Sequence, residues 1–336
     1  MEEIVPNNYK NLYNKSVIDR NNQNNRYKLY REEWEENPKK CRASQFPLNV
    51  DIELTNACNL KCPHCARTTA SWGNGNVGFM DKELAKKIID EVNNEGGYSL
   101  KFSLRGEPLL YKDIVEICEY AKQKENIVDF YFNTNGVGLS EKLAREFVRI
   151  QLPRISISVG GWDKESFEKC QVGAKYETVR NNIIRLKEIR EAAKSEYPKI
   201  RVQVVLKDEV KQHMNEFVEL WKDCADELSG IDFRDESANK AELGKTDEVS
   251  FKCNCLWQRV AVLWNGEAYP CLFQGVTNTE DICLGNVKET SIKEMWNSKK
   301  LEDIRNKHAL NKSYEVSSCR QCSYRISETQ KLGEKI

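Results

Sequence analysis

The sequence lacks a net charge, a long apolar run and a signal peptide. Its 336 residues carry 52 Lys and Arg against 52 Asp and Glu, so no field of one sign points to nucleic acid or to an anionic membrane. No stretch approaches the roughly 20 apolar residues that cross a bilayer. The N-terminal MEEIVPNNYK has neither the basic start nor the apolar run of a signal peptide. These absences predict a cytoplasmic protein with no nucleic-acid or membrane partner.

Cysteine, in contrast, is abundant, with 13 residues in the chain. In a compartment where thiols stay reduced, so many cysteines indicate metal ligation rather than disulfides. Whether these cysteines can bind a metal depends on their spacing along the sequence. Five of the cysteines have no partner at metal-binding spacing and are interpreted as structural, since a free cysteine is a common buried small residue: Cys41, Cys118, Cys170, Cys224 and Cys283.

The middle of the chain alternates between strand-like and helix-like segments. The predicted strands are 48–54, 99–104, 127–133, 154–159, 200–206 and 230–235. The predicted helices are 81–94, 111–124, 140–150, 174–194 and 209–228, with Asp81 and Ser140 as N-caps. Six strands alternating with helices predict an α/β fold with a parallel sheet, whose active site lies at the carboxyl ends of the strands.

Three regions follow from this pattern. Residues 1–47 are polar and are expected to form an arm packed on the main domain through Tyr27, Tyr30 and Trp34. Residues 48–235 form the alternating α/β domain. Residues 236–336 begin with a polar connection, after which Asn265-Gly266 predicts a β-hairpin. The C-terminal region is therefore predicted to be a small β-hairpin and helix domain.

The first cysteine group lies directly after the first predicted strand, in TNACNLKCPHCART. Cys58, Cys62 and Cys65 are spaced to hold three corners of a four-iron, four-sulfur (4Fe–4S) cluster. No fourth cysteine lies within a loop's reach, which leaves one iron free to bind a small molecule. A zinc ribbon would need a second Cys-x2-Cys or a His pair to close its tetrahedron.

The second cysteine group lies in the C-terminal region. Cys271, Cys319 and Cys322 join either Cys253 or Cys255 in a closed site of four thiolates from distant segments. Sulfur ligands alone allow either zinc or a 4Fe–4S cluster.

Two further strand ends carry polar turns, Gly106-Glu107-Pro108 after the second strand and Asn135-Gly136 after the third.

The first cysteine group resembles the cluster motif of the radical S-adenosylmethionine (SAM) enzymes. In that family the open iron chelates the amino and carboxylate groups of SAM, which is then cleaved to methionine and a 5′-deoxyadenosyl radical. The six strand–helix units match the partial (β/α)6 barrel that the resemblance implies. His64 occupies a position that is usually aromatic in the family, where an imidazole can still lie flat against adenine.

The resemblance also implies roles at the strand ends. It places Gly106, Glu107 and Pro108 against the SAM amino group and Asn135 at the rim of the SAM site. Ser158 matches a position that meets the SAM ribose, and Gln203 is expected to face the adenine. Gln171 replaces an arginine that lies near the SAM carboxylate in the family, so no residue is assigned to that carboxylate.

Residues 253–323 resemble the twitch domain, a shortened SPASM domain that carries one auxiliary cluster. Gly266 and Cys271 fit its pattern, and a ligand four residues before Trp257 favours Cys253 over Cys255. The resemblance therefore implies SAM and two 4Fe–4S clusters as cofactors, with an electron donor such as flavodoxin or ferredoxin as partner.

The expected reaction is hydrogen abstraction from a small polar substrate such as a sugar, aminoglycoside or cyclitol. Its outcome would be epimerisation or alcohol dehydrogenation. In an epimerisation, Cys255 would donate the hydrogen atom, because the C-terminal capping domain that carries it is expected to face the barrel mouth. One alternative is a maturase of a ribosomal peptide, although the 47-residue arm is too small for a leader-recognition domain. The other is a non-catalytic iron–sulfur electron carrier.

Iron analysis tests the two cluster assignments. Two 4Fe–4S clusters predict about eight irons per chain. Replacing Cys58, Cys62 and Cys65 together should remove about half of the iron and abolish SAM cleavage, whereas replacing Cys319 and Cys322 should remove the other half. SAM cleavage that survives the triple replacement would refute the first assignment, and zinc in the second site would refute the second.

Overall fold

A computed structural model gives the fold of residues 9–14, 25–69, 76–233, 251–272 and 279–333. None of the described helices is long and apolar enough to cross a membrane. The polar connection 236–250, the boundary predicted between 235 and 236, and the end of the sixth predicted strand lie outside the described residues.

The described chain contains ten strands and thirteen α-helices. The strands are β1 Tyr9–Asn14, β2 Asn49–Ile52, β3 Ser99–Lys101, β4 Asp129–Thr134, β5 Arg154–Val159, β6 Lys199–Leu206, β7 Glu227–Asp232, β8 Arg259–Val262, β9 Glu267–Tyr269 and β10 Gly285–Asn286. The helices are α1 Asn25–Lys39, α2 Ala66–Thr69, α3 Lys82–Asn94, α4 Ile114–Lys122, α5 Glu141–Arg149, α6 Lys164–Cys170, α7 Tyr176–Ala192, α8 Asp208–Gln212, α9 Met214–Trp221, α10 Ile292–Trp296, α11 Lys299–Ala309, α12 Ser317–Arg320 and α13 Ser323–Gly333.

The strands form one sheet in the order β1-β7-β6-β5-β4-β3-β2-β8-β9-β10. The six strands β2 to β7 are mutually parallel and correspond to the six predicted ones, so the predicted α/β fold is confirmed. The carboxyl ends of these strands lie together along one side of the sheet, which we call the upper edge. The side where the strands begin is called the lower edge. The loop with Cys58, Cys62 and Cys65 follows β2 and therefore lies at the upper edge.

The helices between these strands follow the predicted caps. The side chain of Asp81 accepts a hydrogen bond from the Leu84 N–H at the start of α3, and Ser140 accepts one from Leu143 at the start of α5. The predicted helix 209–228 is wrong in extent. It divides into α8 and α9, and its last residues belong to β7, which begins at Glu227. Pairing of that segment with β6 outweighs its local helical pattern.

The N-terminal arm closes the lower edge of the sheet. Tyr27, Tyr30 and Trp34 on α1 are buried with Leu48 and Tyr98 in a small apolar cluster. The Arg26 guanidinium in α1 also donates to backbone oxygens just before β3 and β4. Sequence analysis did not predict β1, which pairs antiparallel with β7.

The C-terminal domain continues the same sheet. Its hairpin is formed by β8 and β9 around Asn265-Gly266, as predicted, and Gly266 has a φ of +95° that favours glycine. Strand β8 lies parallel to β2, with Arg259 opposite Asn49. A strand parallel to β2 must enter the sheet where β2 begins, so the residues before Arg259 lie at the lower edge.

Removal of the Trp34 side chain should destabilise the protein. Trp34 is 5% exposed, its ring lies 4.9 Å from the Arg259 guanidinium, and its carbonyl accepts from the Gln258 side chain. Loss of a buried tryptophan typically costs about 3–5 kcal/mol. Trp34→Ala should therefore lower the free energy of unfolding by about that amount in a urea titration.

A matched control lies on the same helix. Leu29 is 44% exposed, so Leu29→Ala should change the free energy of unfolding by no more than about 0.5 kcal/mol. Equal effects of the two substitutions would contradict the structural role of α1.

Candidate active site and auxiliary cluster site

The first cysteine loop brings three thiols together at the upper edge. Cys58, Cys62 and Cys65 are half-buried. Burial, with the neighbouring Cys65 and Cys58, raises the pKa of Cys62 to about 12. The Leu60 N–H points at the Cys58 sulfur from 3.5 Å. Three neighbouring sulfurs, one of which accepts a backbone N–H, fit the donor set of an iron–sulfur cluster.

The Gly106-Glu107-Pro108 turn packs directly against the backbone of this loop. The Glu107 N–H donates to the Ala57 carbonyl at 2.7 Å, one residue before Cys58. A Cβ atom at Gly106 would overlap the carbonyl oxygens of Thr55 and Ala57. Only glycine therefore allows the second strand end to approach the cysteine loop this closely.

The Glu107 carboxylate is 3% exposed and joins two strand ends. It accepts hydrogen bonds from the Thr134 hydroxyl at 2.6 Å, the Asn135 N–H at 2.7 Å and the Leu109 N–H at 3.0 Å. Burial raises its pKa, and these hydrogen bonds oppose that rise. The side chain holds the turn after β3 against the turn after β4, a structural task that the sequence did not reveal. Contact with a SAM ammonium stays a prediction.

Asn135 links that pair of turns to the cysteine loop. Its side-chain amide donates to the Asn59 side chain at 2.8 Å, and its oxygen accepts from the Val137 N–H at 3.0 Å. A hydrogen bond from Asn135 also lowers the pKa of Cys58, against a larger upward shift from burial. Asn135 therefore lies beside the first cysteine, at the predicted rim of the site.

The remaining predicted SAM contacts lie along β5 and β6. Ser158 is opposite Gln203 in the parallel register; Ser158 is half-buried and Gln203 is 7% exposed. Gln171 donates its amide to the Ser158 carbonyl and accepts from the Gly160 N–H. It thus fixes the end of β5, which gives a structural reason for a glutamine at a position where the family often has arginine.

His64 is exposed at the upper edge, and its ring edge faces Phe233 at 6.0 Å between centroids. Nearby loops carry a second aromatic contact, in which Trp162 stacks on His213 at 4.5 Å with 13° between the planes. Planar side chains therefore border the upper edge after β5, β6 and β7. The predicted stacking of His64 on adenine is not tested by this geometry.

One face of the sheet is unusually polar for a barrel interior. Val50 and Ile52 of β2 pack in the apolar core, whereas alternate residues on the neighbouring strands form ion pairs on the opposite face. We call this set the polar lumen; its members are Asp51, Lys101, Asp129, Arg154, Arg201, Glu227 and Arg259. Closed barrels of this class fill that space with bulky branched residues. Here, ion pairs among charged side chains occupy part of that space instead.

The second cysteine group gathers at the lower edge. Cys253 and Cys255 are in hydrogen-bond contact through their thiols, and this contact, burial and the nearby Cys271 and Cys322 raise the pKa of Cys253. Burial and the adjacent Cys322 likewise raise the pKa of Cys319. All four predicted ligands and Cys255 therefore lie together. Whether Cys253 or Cys255 binds the cluster stays a prediction.

The expected position of Cys255 at the barrel mouth is wrong. Cys255 precedes β8, and β8 runs parallel to β2, so Cys255 lies at the lower edge while Cys58 lies at the upper edge. The length of β2 alone, at about 3.3 Å per residue, puts on the order of 10 Å between the two edges. Cys255 also lies near Arg259 of the polar lumen. Burial opposes the charged form of Arg259, but Asp51 and then Cys255 outweigh it, so the pKa of Arg259 is raised.

Two family models match the chain. Residues 52–220 match the radical SAM superfamily, and residues 253–323 match an iron–sulfur cluster-binding domain. The chain belongs to the radical SAM superfamily. The predicted membership, the C-terminal auxiliary cluster domain and the predicted SAM and iron–sulfur cofactors are thereby confirmed.

Similar proteins agree with this membership. A probable GTP 3′,8-cyclase from Methanococcus maripaludis is 33% identical over 132 residues, which cover 39% of this chain and 43% of that protein. Molybdenum cofactor biosynthesis protein moc-5 from Caenorhabditis elegans is 28% identical, over 54% of this chain and 29% of its own. This radical SAM chain thus spans less than half the length of the curated relatives named here.

Solved structures show the same fold. BtrN in complex with AdoMet and 2-DOIA aligns with a TM-score of 0.52 at 17% identity, over 84% of this chain and 93% of its own. AdoMet-bound anSMEcpe aligns with a TM-score of 0.57 at 18% identity, over 86% of this chain and 96% of its own. At such low identity these likenesses support the radical SAM fold alone.

The donor sets suit clusters rather than a single ion. Among the described ranges, no group of three or more His, Cys, Asp or Glu side chains is arranged to hold one metal ion. Each cysteine of an iron–sulfur cluster binds a different iron, so its sulfurs need not converge on one point. Cys58, Cys62 and Cys65 fit the SAM-binding cluster, and the lower-edge thiols fit the auxiliary one.

Several residues of the site escaped sequence analysis. Asn59 and Thr134 anchor the network of Asn135 and Glu107, and Cys170 lies near enough to Cys62 to add to the rise in its pKa. His308 contacts two of the auxiliary cysteines. The TNG sequence was a usable signal for Thr134, whereas the other contacts depend on tertiary packing.

Gly106→Ala tests the close approach of the two loops. The new methyl group must displace the backbone of Thr55 or Ala57, and overpacking of this kind costs about 1–3 kcal/mol. Displacement of the cysteine loop should lower both the iron bound there and SAM cleavage, the latter by about tenfold or more. Iron content and 5′-deoxyadenosine formation measure the two effects.

Gly138→Ala is the matched control, because a Cβ atom there meets only the Leu109 side chain, at 3.3 Å. It should keep its iron and most of its activity. Full iron and wild-type SAM cleavage in Gly106→Ala would show that the approach is dispensable.

Proposed function

We propose that this chain generates a 5′-deoxyadenosyl radical from SAM and uses it to abstract hydrogen from a purine nucleotide, with GTP as the substrate. The observation that carries the radical chemistry is the convergence of Cys58, Cys62 and Cys65 with the Gly106–Glu107 turn and Asn135 at one sheet edge. When bound, the cluster supplies the electron that cleaves SAM.

The predicted sugar epimerisation or dehydrogenation is corrected by the curated relatives. Relatives in Methanococcus maripaludis and Methanocaldococcus jannaschii are named probable GTP 3′,8-cyclase, and one in Vibrio parahaemolyticus is named GTP 3′,8-cyclase. These names point to GTP rather than to the sugar-like substrate, the ribosomal peptide or the electron-carrier role that the sequence suggested. Composition and cysteine spacing could not reveal this, because neither carries a signal for the substrate.

The polar lumen supports a charged, hydrogen-bonding substrate. Arg259 and Lys101 approach Asp51 at 3.2 and 3.9 Å, and Arg201 approaches Glu227 at 2.7 Å. Guanidinium groups bind phosphate oxygens bidentately, while the carboxylates beside them can accept from the N–H groups of a guanine. A nucleotide offers both kinds of partner.

The chain's own residues supply position rather than chemistry. Glu107 fixes the turns after β3 and β4 to each other, and Asn135 fixes the second turn to the cysteine loop. These turns would hold SAM beside the cysteine loop, where SAM would supply the 5′-deoxyadenosyl radical. A radical is productive only if the target hydrogen is held close, so this rigidity and the exclusion of water matter most.

The experiment uses reconstituted, reduced protein with SAM and GTP deuterated at the ribose 3′ carbon, the position that the relatives' name identifies. A flavodoxin system serves as reductant. We expect deuterium to enter 5′-deoxyadenosine, and GTP to stimulate its formation at least tenfold over CTP. Mass spectrometry of 5′-deoxyadenosine measures both.

Two variants serve as controls, one expected to be inactive and one expected to be active. Joint replacement of Cys58, Cys62 and Cys65 should abolish 5′-deoxyadenosine, whereas Cys41→Ser, at an exposed thiol away from the upper edge, should not. Without 5′-deoxyadenosine under any condition, the radical proposal fails. If 5′-deoxyadenosine forms but GTP neither stimulates it nor transfers deuterium, only the choice of substrate fails.

A further inference from the structure

His308 is a buried histidine placed between two cysteines of the auxiliary site. It lies near the end of α11 and has no solvent exposure. Its Nδ1 lies 3.2 Å from the backbone nitrogen of Cys253, and its Nε2 lies 3.3 Å from the sulfur of Cys319. Both ring nitrogens are therefore engaged by the segments that carry the cluster thiols.

The two contacts determine where the proton lies. A backbone N–H can only donate, so Nδ1 must accept from Cys253 and carry no proton. The neutral ring then carries its proton on Nε2, which faces Cys319. The Nε2–H group consequently points at the Cys319 sulfur.

Packing holds the ring in this orientation. Arg305, one turn earlier on α11, donates to the Leu256 carbonyl at 2.9 Å and to the Trp296 carbonyl at 2.9 Å. Arg305 and His308 thus share the face of α11 that meets residues 253–256. Phe251 approaches the imidazole edge-on, at 6.4 Å between ring centroids. The ring has little freedom to turn away from the sulfur.

We propose that His308 is a positioning residue that tunes the auxiliary cluster, by donating an Nε2–H hydrogen bond to the sulfur of Cys319. Hydrogen bonds to cluster sulfurs help to set the reduction potential. Such a bond stabilises the electron-rich reduced state more than the oxidised state, so it raises the potential. The inference concerns the auxiliary cluster alone and does not depend on the substrate.

Two substitutions of His308, by asparagine and by glutamine, test its two hydrogen bonds separately. The oxygen of an asparagine side chain can occupy the place of Nδ1 and accept from Cys253, but its amide cannot reach Cys319. A glutamine amide extends about as far as Nε2 and can still donate to the sulfur. His308→Asn therefore removes the sulfur bond selectively, and His308→Gln restores it.

The measurement is a redox titration of the auxiliary cluster, followed by electron paramagnetic resonance, in full-length protein whose Cys58, Cys62 and Cys65 are replaced by alanine. At a fixed potential, His308→Asn should lower the ratio of reduced to oxidised cluster about tenfold, which equals about 59 mV for one electron. His308→Gln should stay within about threefold of the wild-type ratio. His213→Asn, at the upper edge against Trp162, should change nothing.

Iron content distinguishes tuning from ligation. The proposal requires His308→Asn to retain the iron of the auxiliary cluster. An unchanged potential with full iron would overturn the proposal, because the N–H group would then have no effect. Loss of that iron would also overturn it, since His308 would then be a ligand or essential to assembly.

A measurement on the protein with His308 in place tests the hydrogen bond even if the His308 variants fail to fold. The chain has only three histidines, so growth with ¹⁵N-histidine labels few sites. Pulsed electron paramagnetic resonance of the reduced auxiliary cluster should show weak coupling to one ¹⁵N nucleus, as expected through an N–H···S bond. Absence of coupling, or the much larger coupling of a directly bound nitrogen, would refute the assignment.

Discussion

The buried carboxylate of Glu107 is the interaction on which the upper edge of the sheet depends. It accepts from one hydroxyl and two backbone N–H groups, so three donors that would otherwise lie unpaired in the interior are satisfied by one side chain. Next to it, Gly106 admits the backbone of the cysteine loop. Strand ends that are distant in sequence are thereby fixed around the place where the three cysteines converge. The precision needed to direct a radical rests on this arrangement.

The parallel pairing of β8 with β2 has a comparable effect at the lower edge. It makes the C-terminal domain a continuation of the barrel sheet rather than a separate module. It also places the two cysteine groups at opposite ends of the same strands, with the polar lumen between them. A molecule bound among Asp51, Lys101 and Arg259 would lie between the site of radical formation and the auxiliary thiols.

Much of this organisation was predictable because it depends on local pattern. The six strands, the Asp81 and Ser140 caps and the Asn265-Gly266 hairpin each have a signal within a few residues. The first cysteine loop was identified by spacing alone. In contrast, the partners of Glu107, the bridge formed by His308 and the direction of β8 depend on residues far apart in the chain. The polar lumen had no sequence signal for the same reason, since it is assembled from single residues on several strands.

The burial of the cluster cysteines has a consequence for the protein before iron arrives. Burial raises the pKa of Cys62 to about 12 and also raises that of Cys319, while the contact with Cys255 and then burial raise the pKa of Cys253. At neutral pH these groups therefore hold their protons, and a protonated thiol is a poor nucleophile. Oxidation and disulfide exchange, which proceed through the thiolate, are therefore disfavoured by the packing around these crowded thiols. Loading of the clusters must release those protons, so maturation is coupled to proton uptake by the surroundings.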